Sequence, residues 1–342
     1  MKLNLTQRFR LWFIKFSLAV LTYIDTVEAS PLRLLKSFFK LLILAFLTFF
    51  LVGMFLKEYK ERNIYRIAEY FLVPKPPLLS NTKSPFYPVL VEEITFPPIS
   101  ARSFIIVDLK TKKVLNDFNS KTPLPPASTT KLMTALVARD IYDLTDEVAI
   151  PRECVALEDT QQVGFVVGEK VSVRDLIGSV LISSGGDAAC ALARNKINYP
   201  DFINKMNTKA LELEMQSSNF SNPIGLDDFS ENHLSSAYDL YLLTMEVRKD
   251  PYLKELIATK EYDITTGLVK RKVFNTNDLL WDIPETVGVK TGRTYGAGEV
   301  LIYEYSKDAT NILIVVMGSL NRFKDTTEIL NWTLKSYSFG PI

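Results

Sequence analysis

The chain has 342 residues, 47% of them hydrophobic, with 21 Phe, 15 Tyr and a net charge of +1. That is apolar enough for two average domains, or one large domain and a tail, and it excludes disorder over most of the length. With no basic stripe or basic-aromatic repeat there is no nucleic-acid footprint. Two cysteines and one histidine argue against a catalytic transition-metal centre, leaving only an all-oxygen site open, so neither metal nor cofactor is expected.

The charge is unevenly placed. Residues 1–40 carry seven Lys/Arg against Asp25 and Glu28, a net of +5, so the rest of the chain sums to −4. Within that segment, residues 11–24 are apolar but contain Lys15 and read as an interfacial helix. The run Val27-Glu28-Ala29 also fits a signal-peptide cleavage site. Residues 38–56 are apolar apart from Lys40, whose long stem can carry its charge to the interface, and they are long enough to span a bilayer. The positive-inside rule then keeps residues 1–37 in the cytoplasm and exports everything after the span. Residues 57–100 begin as an amphipathic helical pattern and continue into a stretch, 74–98, that holds seven of the 17 prolines. Such a stretch reads as a semi-rigid linker ahead of a domain over 101–342.

From Ala101 the pattern changes. Residues 103–109 and 114–118 read as a β-hairpin. Helical periodicity dominates to about residue 256, and strand patterns return at 287–292, 298–305 and 311–319 before a closing helix from about Asp325. Strands first and last with helices between give an α+β or mixed domain whose sheet is assembled from both chain ends. Cys154 and Cys190 are expected as two buried free thiols, with pairing outside the cytosol as the alternative.

Three short motifs carry chemistry. Ser128-Thr129-Thr130-Lys131 follows two prolines and precedes an apolar run at helical spacing (Leu132, Met133, Leu136, Val137), so Ser128 is placed at a helix start. Ser and Lys three apart share a helix face, and a neutral Lys there is a base for the hydroxyl. The spacing alone proves little, since Ser37–Lys40 and Ser80–Lys83 share it. Ser184-Gly185-Gly186 breaks an apolar helix, with a second helix starting at Asp187, the expected cap. Lys290-Thr291-Gly292 lies on a strand, where an ammonium and a hydroxyl side by side suit a carboxylate and Gly292 admits close backbone approach.

In that order the motifs, with the surrounding wording PASTTKLMTALVA, LISSGGDAACALA, NPIGLDDFSENHLSSAYDL, NTNDLLWDIPETVGVKTG and MGSLNRFKDTTEILNW, resemble the D-alanyl-D-alanine carboxypeptidases of the low-molecular-mass penicillin-binding proteins, peptidase family S11. The resemblance runs from about Ala101 to the C-terminus. It implies a β-lactamase/transpeptidase-like fold, an antiparallel sheet with a helical subdomain. It also implies removal of the terminal D-alanine from peptidoglycan stem peptides, and β-lactams as covalent inhibitors. Ser128 would be the acylated nucleophile, Lys131 its base and Ser184 a proton relay. Lys290 and Thr291 would hold the substrate carboxylate beside Gly292, and the amides of Ser128 and Arg293 would form the oxyanion hole. His233 would be structural. The family pattern has asparagine where this chain has Gly186, which opens the alternative of a degenerate member that binds peptidoglycan or a partner with little turnover. A D-Ala endopeptidase shares the same motifs. A class A β-lactamase is disfavoured by the absence of an E-x-x-L-N string.

Overall fold

The computed structural model describes residues 88–155, 157–228 and 232–340. The interfacial helix, the span at 38–56 and most of the linker lie outside the described residues. No described helix is long and apolar enough to cross a membrane.

A short strand, β1 (Val89–Leu90), is followed by β2 (Ser103–Asp108) and β3 (Lys113–Phe118). A 3₁₀ turn at Ala127–Thr130 runs directly into α1 (Lys131–Ile141). Then come β4 (Glu147–Ala149), β5 (Lys170–Ser172), α2 (Val173–Ile182), α3 (Gly186–Arg194) and α4 (Tyr199–Glu212). Next are α5 (Ala237–Val247), α6 (Pro251–Ala258), the hairpin β6 (Glu261–Thr266) with β7 (Val269–Phe274), and α7 (Leu279–Asp282). The chain closes with β8 (Thr286–Thr294), β9 (Gly298–Lys307), β10 (Thr310–Ser319), α8 (Arg322–Ser336) and β11 (Tyr337–Ser338).

The main sheet has the order β3-β2-β10-β9-β8 and is antiparallel throughout. It is built from both ends of the domain, as the sequence pattern implies. Its central strands are covered on both faces, and the side-chain period of two divides them cleanly. Ile312, Ile314 and Val316 of β10 join Phe104, Ile106, Leu301 and Tyr303 against α8 residues Ile329 and Leu330. Their neighbours Leu313, Val315 and Met317 turn to the other face with Ile105, Val107, Val300 and Ile302, where the helical layer around α1 packs.

Residues 89–99, the end of the proline-rich stretch, belong to this body. β1 pairs with β11, the Trp332 indole N–H donates to the Ile94 carbonyl at 2.9 Å, and Phe96 stacks on Phe104 with ring centroids 4.9 Å apart.

The expectation of two free thiols is corrected. Cys154 and Cys190 form a disulfide, with Cα atoms 5.4 Å apart. Sequence spacing carries no sign of it, because the pairing depends on α3 packing over the turn at Arg152–Cys154. The expected cap at the second motif is also corrected. Gly185 is the cap residue of α3, and the Asp187 carboxylate instead accepts N–H bonds from Val163 and Gly164 at 2.9 and 3.0 Å.

The disulfide closes a loop of 36 residues, worth about 3–4 kcal/mol by loop-closure entropy. Urea unfolding of the Cys154→Ala/Cys190→Ala variant should show a loss of that order, and dithiothreitol should lower the midpoint of the wild type alone. Equal midpoints for oxidised wild type and variant would contradict the pairing.

Candidate active site

The turn that carries Ser128 is shaped by its own residues. Pro126 leads into the 3₁₀ turn, and its carbonyl accepts from the Thr129 hydroxyl at 2.7 Å. A 3₁₀ turn has three residues per turn, so residues i and i+3 eclipse. Ser128 and Lys131 therefore stack, with Nζ and Oγ 3.0 Å apart. Ala127 just before them is buried and holds φ at +49°, a left-handed value that a non-glycine residue adopts at a cost.

Lys131 is the first residue of α1, fully buried, with its Nζ also donating to the Ile224 carbonyl at 2.7 Å. Burial pushes the amine down to about 7; the charge of Asp187 opposes this without reversing it. The positive end of the α1 dipole acts in the same direction as burial. A substantial fraction of Lys131 is thus a neutral amine at neutral pH, facing a hydroxyl.

The other motifs converge on the same place. A cavity of about 470 Å³ is lined by Ser128, Thr160, Gln161, Ser184, Thr291, Gly292, Arg293 and Arg322, among others. Ser184 is buried and held at φ +63°, strained as Ala127 is. Gly292 presses against the Ser128 turn: a Cβ there would lie 2.8 Å from both the Ser128 nitrogen and the Ala127 Cβ. Any side chain at 292 would push β8 off the turn, so glycine is what brings the Ser128 and Arg293 amides to one cavity.

Lys290 is fully buried and does not line the cavity; its Nζ donates to the Thr291 carbonyl at 3.1 Å. Burial, then the charges of Lys131 and Arg322, drive its amine well below the ordinary lysine value. Lys131, Lys290 and Arg322 crowd this end of the site, and an entering carboxylate would favour the protonated form of the lysines. The side chains that line the cavity there are Thr291, hydrogen-bonded to Thr276 at 2.5 Å, Arg293 and Arg322.

Arg322 was not among the residues singled out from the sequence. It opens α8, three residues earlier than the pattern predicted, and its Nη1 donates to the Gly292 carbonyl at 3.1 Å. The available signal was Asn321, a good cap residue directly ahead of it, whose side chain accepts from the Lys324 N–H. Thr160 and Gln161 carried no sequence signal at all.

His233 has a structural place. Its Nδ1 accepts the Ser221 N–H at 3.0 Å, so Nε2 carries the proton and donates to the Thr130 hydroxyl at 2.9 Å. Burial lowers its pKa to about 4, against the opposing charges of Asp228 and Asp227, and it stays neutral.

A depressed Lys131 pKa sets a pH profile. Below about 7 the amine is an ammonium and has no lone pair for Ser128; above it the base is free. The second-order rate of acylation by a penicillin should rise with pH through an inflection near 7. A rate flat from pH 5.5 to 8.5 would exclude Lys131 as the base.

Comparison with known proteins bears on the same residues. The family model for D-alanyl-D-alanine carboxypeptidases, peptidase family S11, matches residues 91–321. The carboxypeptidase DacF of Bacillus subtilis (strain 168) is 31% identical over 71% of this chain and 64% of its own length. DacC of Escherichia coli (strain K12) is 32% identical over 72% and 64%. The chain thus spans just under two thirds of these relatives. The solved structure of a D-alanyl-D-alanine carboxypeptidase from Mycobacterium tuberculosis H37Rv superimposes with a TM-score of 0.67 and 26% identity, covering 74% of this chain and 99% of that one. With the three motifs gathered round one cavity on this fold, the chain belongs to peptidase family S11, the D-alanyl-D-alanine carboxypeptidases.

Proposed function

We propose that the chain is a serine-type D-Ala-D-Ala carboxypeptidase that removes the terminal D-alanine from peptidoglycan stem peptides. The observation that carries this is the buried Lys131 amine 3.0 Å from the Ser128 hydroxyl. A neutral amine that close is a general base with its nucleophile in place.

The chemistry follows from the geometry. The peptide's terminal carboxylate sits against Thr291, Arg293 and Arg322, with the buried Lys290 amine behind them. This sets the carbonyl of the penultimate residue over Ser128. Lys131 takes the hydroxyl proton as Oγ bonds to that carbonyl carbon. The negative charge on the carbonyl oxygen is met by the Ser128 and Arg293 N–H groups. The amide bond then breaks, and the leaving D-alanine nitrogen takes its proton from the Lys131 ammonium through the Ser184 hydroxyl. Water, activated by the regenerated amine, hydrolyses the acyl-serine. β-Lactams would acylate the same hydroxyl.

In the same reading the catalytic domain lies outside the cytoplasm, held by a single span at 38–56 with residues 1–37 inside. The basic N-terminal segment and the apolar run support this topology. So does the Cys154–Cys190 disulfide, since such bonds persist in oxidising compartments.

A fluorescent penicillin should label the wild type covalently, and the purified protein should release D-alanine from an N-acylated Lys-D-Ala-D-Ala tripeptide. Ser128→Ala should lose both. Equal labelling of Ser128→Ala would exclude the mechanism, and a labelled enzyme that releases no D-alanine would favour a binding role.

A further inference from the structure

Gly186 stands where the resemblance leads one to expect an asparagine side chain reaching into the site. The space for that side chain is already taken. A Cβ on Gly186 would lie 2.5 Å from both Oγ1 and Cγ2 of Thr160 and 3.0 Å from the Thr160 Cβ. Rotating Thr160 about χ1 only exchanges one γ atom for another on a β-branched side chain. Relief would require the backbone of the 157–168 loop to move.

That loop is pinned from several sides. The Gly186 N–H donates to the Gln161 carbonyl at 2.7 Å. The next residue, Asp187, takes the amides of Val163 and Gly164. Arg271 donates to the Gly164 carbonyl at 3.2 Å and to the Glu169 carboxylate at 2.7 Å. The disulfide at Cys154 ties the start of the loop to α3, the helix that Gly186 opens. Thr160 is therefore presented to the cavity on a fixed frame. It lines the same walls as Ser128 and Ser184, with Gln161 beside it. Its hydroxyl, partly buried, is bonded to no other described residue.

We propose that Thr160 replaces the missing third side chain of the second motif from across the cleft: it fills the space beside Gly186, and its hydroxyl donates to a backbone carbonyl on the acyl side of the bound peptide. Gly186 is then the complement of Thr160 and not a lesion. This rests on the carboxypeptidase reading above, and it removes the reason for reading the chain as a degenerate member. An unpartnered hydroxyl already held in place gains a hydrogen bond with little ordering cost when substrate arrives.

The test is kinetic, using kcat/KM for D-alanine release from the N-acylated Lys-D-Ala-D-Ala tripeptide and the rate of labelling by fluorescent penicillin. Thr160→Val keeps the shape and removes the O–H; it should lower kcat/KM roughly 5- to 10-fold with an unchanged melting temperature. Thr160→Ser, which keeps the hydroxyl, should recover most of that loss. Gly186→Asn alone should fall by 10-fold or more. Adding Thr160→Gly to Gly186→Asn makes room for the amide and should restore much of the rate, which a simple folding defect would not allow. Wild-type kcat/KM in Thr160→Val, or a faster enzyme from Gly186→Asn alone, overturns the proposal while leaving the carboxypeptidase reading standing. A wild type that neither labels nor releases D-alanine removes that reading, and this inference with it.

Discussion

The site depends on a lysine placed where a cation is unwelcome. Lys131 is fully buried, begins a helix with no acidic residue in its first turn, and forms no ion pair among the described residues. Its near neighbour in charge, Asp187, has its carboxylate occupied by the amides of the 157–168 loop. An ammonium in such surroundings loses most of its hydration without a matching partner, so the proton is held weakly. The neutral amine is then chemically able to do at neutral pH what histidine does in serine hydrolases, and the chain's single histidine is left to join the Ser221 backbone to Thr130.

The fold serves that amine by supplying walls from distant parts of the chain. α1 and its preceding turn bring Ser128, the α2–α3 junction brings Ser184, and β8 brings Thr291, Gly292 and Arg293. The approach of β8 is set by Gly292, whose missing side chain leaves room for the Ser128 amide. The sheet behind β8 is apolar on both faces and packed by helices on both, which gives the edge a stiff backing. The 157–168 loop closes the remaining side and is fastened by a disulfide just ahead of it, a carboxylate and an arginine. Positioning of this kind is worth far more than any one contact, because a displacement of about 1 Å at the reacting atoms can cost two orders of magnitude in rate.

Much of this was legible in the sequence, for reasons that can be named. The strands 103–109, 287–292, 298–305 and 311–319 are runs of apolar and β-branched residues bounded by turns, and each lies within an observed strand or overlaps most of one. The motif turns announce themselves through prolines and glycines. What was illegible depends on tertiary packing. The disulfide, the anchoring of Asp187 and the intrusion of Thr160 all involve residues brought together around the 157–168 loop, which lies inside the stretch that the sequence pattern reads as helical. The β6–β7 hairpin is not legible because its strands, EYDITT and VKRKVF, carry charges among their few apolar residues and bury only three side chains between them. Arg322 was missed because a helix boundary inferred from periodicity is uncertain by a few residues, and here those residues enter the site.

Gly186 takes its meaning from the residue that faces it. Taken alone, the substitution removes a polar side chain from a catalytic motif. Taken with Thr160, it is one half of an exchange of volume between two walls of one cleft, and the other half lies 26 positions away in the chain.

The direct test is the ionisation of Lys131 itself. With lysines labelled at Cε, the NMR signal that disappears in Lys131→Arg should titrate near pH 7 in the wild type. If that signal stays in its ammonium form to pH 10, as an exposed lysine does, the amine is no base for Ser128 and the mechanism is wrong.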